Sequence, residues 1–149
     1  MKRRLWKLLE EDNVVMPIPD TVILLMVVKI FGKVSMSRLH KIVYILKYKY
    51  GVPFRLGYQT SPSIFSEDLE DDVGVLVAFG LLDVKIVSSG DYVDRVYRVT
   101  EKGEKILEYI LQDRDAEEMF NKLKLYLAEL ESLTISELVY EAEKLIRKL

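Results

Sequence analysis

Two β-branched runs, Val84-Lys85-Ile86-Val87 and Val93 through Val99, flank the polar quartet Ser88-Ser89-Gly90-Asp91. A glycine inside such a quartet can supply φ > 0, so the spacing predicts an antiparallel hairpin over residues 83–99 with Gly90 at its tip. Val84, Ile86, Val96 and Val99 are expected to pack that hairpin onto a core. The hairpin constrains both of its flanks. Upstream, Leu69, Val73, Leu76, Val77 and Phe79 recur at helical spacing, predicting an apolar-backed helix within 66–82 that breaks at Gly80. Downstream, Thr100 is placed to cap a helix over 101–112 that uses Ile106, Leu107, Ile110 and Leu111. A chain built around helix, hairpin and helix is α+β and mainly helical.

The remaining segments read as helices with clear punctuation. Residues 2–12 predict a short amphipathic helix carrying Leu5, Trp6, Leu8 and Leu9, and Pro17 and Pro19 mark a linker. Asp20 is expected to cap a helix over 21–31 that stops at Gly32. Lys33-Val34-Ser35 is a short extended link. Ser35 or Ser37 then caps a helix to about Tyr50, with Leu39, Ile42, Val43 and Leu46 as its inner stripe. Gly51, Pro53 and Gly57 open a connection to about Pro62 with room for a small extra strand. Near the C-terminus, Asp115 with Glu118 and Thr134 with Glu137 have capping-box spacing for two more helices. Their stripes include Met119, Phe120, Leu127, Leu138, Leu145 and Ile146, more than one small core needs, so a symmetric homodimer is expected. The domain reading is an N-terminal helix and linker over 1–19, a central domain over 20–112, and a C-terminal helical extension over 113–149.

Composition excludes several kinds of chemistry. The chain has no cysteine, hence no disulfide, thiol nucleophile or thiolate metal site, and its one histidine excludes a two-histidine zinc motif within one chain. No phosphate-binding loop, dinucleotide fingerprint or nucleophile elbow is present. The expectation is a non-enzymatic protein without catalytic residues, metal or cofactor. His40 itself is expected at the surface or half-buried. The longest apolar run, Thr21–Ile30, is about half of the ~20 residues a membrane span requires. The basic start Lys2-Arg3-Arg4 meets Glu10-Glu11-Asp12 before any signal-peptide core forms, which predicts a cytoplasmic location and no membrane partner. Few Asn and Gln beside many Lys, Glu, Val and Ile lean toward a thermophilic source.

Tyr97-Arg98-Val99-Thr100-Glu101-Lys102-Gly103 resembles the end of the wing in winged-helix transcription regulators of the MarR and PadR type. Ser37-Arg38-Leu39-His40-Lys41-Ile42-Val43-Tyr44 resembles the S-x-x-L-x-K-x-x-Y helix of a group of uncharacterised prokaryotic winged-helix proteins. Tyr58, Pro62, Ser66-Glu67-Asp68-Leu69 and Gly80-Leu81-Leu82 match that group's connection and acidic helix, and Ser136-Glu137-Leu138 with Tyr140 its tail. Ser61 departs from its usual proline or glycine. These resemblances cover roughly residues 20–145. They imply a winged helix with a two-stranded wing, extra terminal helices that build a dimer, and DNA binding in transcription regulation.

Charge qualifies that implication. Residues 1–65 hold 11 Lys/Arg against 4 Asp/Glu, a surplus of +7, and residues 66–149 hold 11 against 20, a deficit of −9, giving the net −2. The segment 66–82, which a winged helix would place in the major groove, offers Glu67, Asp68, Glu70, Asp71 and Asp72 and no cation. Carboxylates there would face the phosphate row. The candidate nucleic-acid contacts are therefore Lys33, Arg38, Lys41, Lys47, Lys49, Arg55, Tyr58 and Gln59, with Lys85, Arg95 and Arg98 on the wing. Two partners follow: double-stranded DNA on those residues, or a basic protein docked on Glu67, Asp68, Asp71 and Asp72.

Overall fold

A computed structural model describes residues 18–148; the helix expected over 2–12 lies outside them. The described chain forms six helices and a three-stranded antiparallel sheet.

Helix α1 (Asp20–Phe31) is the centre of the core. Ile23, Leu24, Leu25, Met26, Val27 and Val28 are all buried, so the helix is apolar on every side and must be enclosed on every side. It ends at Gly32, whose φ of 80° lets its N–H turn back to the Val28 and Lys29 carbonyls. The N-cap is Pro19 and not Asp20 as expected. Asp20 sits in the first turn, where its carboxylate accepts the backbone N–H groups of Arg55 and Leu56 at 2.9–3.1 Å. It thereby pins the 49–66 connection to the start of α1.

Strand β1 (Lys33–Ser35) leads into α2 (Met36–Tyr48), which Ser35 caps by accepting the Arg38 N–H. From Leu39 to Leu46 only Lys41 escapes burial. In the connection, Val52, Phe54 and Leu56 alternate inward, and the extra strand is reduced to one bridge between Gln59 and Phe65. Helix α3 (Glu67–Ala78), capped by Ser66, buries Leu69, Val73 and Leu76. Phe79, expected in that buried stripe, is 65 % exposed, because the helix has already ended and Gly80 (φ 75°) turns the chain away.

Strands β2 (Leu82–Ser89) and β3 (Tyr92–Val99) form the expected hairpin, in unbroken register from Leu82↔Val99 to Ser89↔Tyr92, and Gly90 (φ 62°) opens the turn. The sheet order is β1-β3-β2. Its packing differs from expectation. Leu82, Tyr97 and Val99 at the base are buried and Val96 is half-buried, but Val84 is 41 % and Ile86 61 % exposed. The hairpin projects past the helices, so β-branched side chains that would suit a covered strand meet water.

Thr100 caps α4 (Glu101–Ile110) through the Gly103 N–H at 2.9 Å. Gly103 is required by a close approach: a Cβ there would lie 2.3 Å from the Leu81 carbonyl oxygen. Helix α5 (Arg114–Leu130) is capped by Asp113, two residues before the expected Asp115. The expected box of Thr134 and Glu137 does form, with reciprocal bonds of 2.9 and 3.1 Å at the start of α6 (Ile135–Lys148). Helix α5 packs on α1 and α6 on α2, so Leu123, Leu127, Leu130, Leu138 and Ala142 complete the same core. Among the described residues no helix is long and apolar enough to cross a membrane.

Candidate interaction site

The cations and aromatics expected to contact nucleic acid do not share one face. Arg38 donates to the Leu133 carbonyl at 2.7 Å and the Glu131 carbonyl at 3.4 Å, closing the C-terminal end of α5, where a cation also suits the helix dipole. Lys47 donates to the Leu56 carbonyl and so holds the connection against α2. The Tyr58 hydroxyl donates to the His40 carbonyl at 2.7 Å, and burial pushes its pKa up; its half-buried ring packs edge-on against Tyr44. Arg95 grips Glu70 with both terminal nitrogens, at 2.8 and 2.9 Å. Lys41 is half-buried; burial pulls its pKa down against the opposing pull of the Asp94 carboxylate.

The exposed remainder forms two groups. Lys49 caps the C-terminal end of α2 and Arg55 sits at the start of α1, while Gln59 lies beside Phe65 and the acidic start of α3. Lys33, Lys85 and Arg98 share the outer face of the sheet, with Lys33 opposite Arg98 and Asp83 on the other side of Arg98. Helices of 12 and 13 residues separate the groups, about 18–20 Å of rise.

His40 is buried, contrary to the surface position expected. Its Nδ1 accepts the Ser66 N–H at 3.2 Å, so the neutral ring carries its proton on Nε2 and donates to Glu70 at 2.9 Å. Its ring also stacks on Phe65. Burial pushes the imidazole pKa down, opposed by the Glu70 carboxylate. Desolvation works against the Glu70 carboxylate, yet the bonds from Arg95 and His40 hold its pKa low. One chain of contacts thus links α2, the N-cap of α3 and the hairpin. It borders an open cleft of about 240 Å³ lined also by Ser37, Lys41, Ser63 and Asp94. Sequence reasoning missed this hub, although His40 stands four residues from both Met36 and Tyr44, on the inner face of α2.

The free face of α3 is the most coherent surface. Glu67, Asp68 and Asp71 are exposed at its N-terminal half, followed by Gly74, Val75, Ala78 and Phe79 on the same side. Among the described residues no Lys or Arg pairs with Glu67, Asp68, Asp71 or Asp72. Asp68 accepts the Gly57 N–H at 2.8 Å. Asp72 is half-buried, and its pKa is raised by burial and then by the carboxylates of Asp20, Asp68 and Asp71. The helix dipole favours acids in a first turn. Among the described residues no group of three or more acidic or histidine side chains is placed to hold a metal ion. No family model, curated protein or solved structure matches the chain.

Proposed function

We propose that this chain is a winged-helix interaction module that docks a basic, partly apolar protein segment on α3. The order helix, strand, helix, helix, hairpin and the sheet order β1-β3-β2 support the winged-helix reading. The observation that carries the function is the exposed face of α3: carboxylates that no Lys or Arg pairs among the described residues at one end, Val75 and Phe79 at the other, and no cation between them in sequence. That face suits lysines and arginines flanking a hydrophobic anchor, and it repels a phosphate backbone. A second reading keeps DNA as the partner, held by Lys33, Lys85 and Arg98 on the outer sheet face, with α3 turned away from the duplex.

Fluorescence anisotropy separates the two readings. A labelled basic amphipathic peptide should bind the parent protein, weaken with salt, and be lost from Glu67→Lys/Asp71→Lys and from Phe79→Ser. Labelled duplex DNA should not bind the parent at moderate salt. Steep salt-dependent DNA binding that vanishes in Lys33→Glu/Lys85→Glu/Arg98→Glu would install the second reading instead.

A further inference from the structure

Strand β2 hydrogen-bonds to β3 on one side and to nothing described on the other. Among the described residues it is an edge of the sheet, and no further hydrogen bond reaches residues 83–89. Proteins blunt such edges with short strands, prolines, bulges or charges pointing inward. The opposite edge, β1, has three residues. Strand β2 has eight and no proline, its register with β3 runs without a bulge, and its charges Asp83 and Lys85 lie on the outer face. Val84 and Ile86 on the inner face and Val87 on the outer face are exposed β-branched side chains along it. The C-terminal helices, the other expected place for a partner copy, spend most of their apolar stripes on α1 and α2.

We propose that β2 is a self-pairing edge: two copies join antiparallel along it with Val84 on the two-fold axis, merging two three-stranded sheets into one. The sequence of the strand selects this register. Centred on Val84, Asp83 of each copy faces Lys85 of the other, Val84 faces itself, and Leu82 faces Ile86. An axis through Lys85 would oppose two lysines. An axis through Ile86 would set Lys85 against Val87 and Val84 against Ser88. Only the Val84 axis pairs both charges twice, which is the self-complementarity a two-fold interface demands.

Sedimentation equilibrium of the full chain should give twice 17.4 kDa at micromolar concentration. Asp83→Lys or Lys85→Asp alone places like charges opposite each other at two positions and should weaken the dimer by about tenfold or more. The double exchange Asp83→Lys/Lys85→Asp restores opposite charges and should restore the dimer, which also shows that the single variants failed by repulsion and not by misfolding. Because the chain has no cysteine, Val84→Cys supplies a clean probe. Directly opposed residues lie about 4.5–5.5 Å apart, within disulfide reach, so oxidation should cross-link it. Val87→Cys, equally exposed but off the axis, should not cross-link. A monomeric parent, a dimer indifferent to both single reversals, or equal cross-linking at positions 84 and 87 overturns the proposal.

Discussion

Residues 23–28 are an apolar run and residues 84–87 carry three β-branched side chains about Lys85, and the structure treats them oppositely. The first is sealed in a helix with packed neighbours on every side; the second lies on an overhanging edge strand with one strand neighbour. Apolar content alone does not decide burial. What decides it is how many other elements the topology brings alongside. Helix α1 touches α3, α4, α5 and the sheet, while β2 has only β3 and α3 beside it.

That contrast sets the size of mutational effects. Leu25→Ala in α1 should cost ~2–5 kcal/mol, since an enclosed site cannot collapse onto the cavity. Denaturant unfolding measures it, and a cost under ~1 kcal/mol would mean α1 is less tightly enclosed than described. Gly103→Ala comes next. Alanine is the better helix former, yet its Cβ would meet the Leu81 oxygen at 2.3 Å and Val99 Cγ1 at 2.7 Å, so a loss of ~1–3 kcal/mol is expected. A gain in stability would show that the hairpin base yields easily.

His40 links the two regions, and its pKa gives the link a pH signature. Burial holds the folded-state value below 6.5, so the unfolded chain takes up the proton first. Stability is then level above that value. It falls as pH drops beneath it, by at most about 1.4 kcal/mol per pH unit, until folded His40 itself titrates. Protonated Nδ1 would also confront the Ser66 N–H it now accepts. In His40→Gln the slope just below about pH 6.5 should vanish, while the losses from Glu70 and Asp94, both held low, remain at more acid pH. Thermal melts across that range measure it, and an unchanged slope would remove His40 from the account. The smallest effect belongs to the exposed hairpin: Val87→Thr should change monomer stability by no more than ~0.5 kcal/mol, and a cost rivalling that of Leu25→Ala would erase the contrast between the regions.

Much of this organisation is legible in the sequence because it is local. Gly90 between β-branched runs, Thr100 before Gly103, and Thr134 with Glu137 each act within a few residues, and each behaves as its spacing predicts. Two caps differ from expectation for an equally local reason: Asp113 and Asp115 are both N-cap residue types two positions apart, and Pro19 already has the extended backbone that frees Asp20 for other partners. The exposure of Val84 and Ile86 was hidden because strand alternation does not reveal whether a second layer exists. The engagement of Arg38, Lys47, Arg95 and His40 was hidden because their partners lie 9 to 95 residues away in sequence. Cations that look free along the chain are tied up only once it is folded.

The enclosure of α1 has a consequence during biosynthesis. Its lid is partly α5, which begins at Arg114, some eighty residues after α1 ends. At ~5–20 residues per second, about 4–16 s pass between the emergence of the two. Throughout that interval the flank of α1 that α5 will cover stays bare, and for its last fifteen residues, from Val99 to Arg114, a finished hairpin with an open edge stands beside it. The nascent chain therefore displays both of its stickiest surfaces at once, and a ribosome-associated chaperone would find its best grip on residues 23–28.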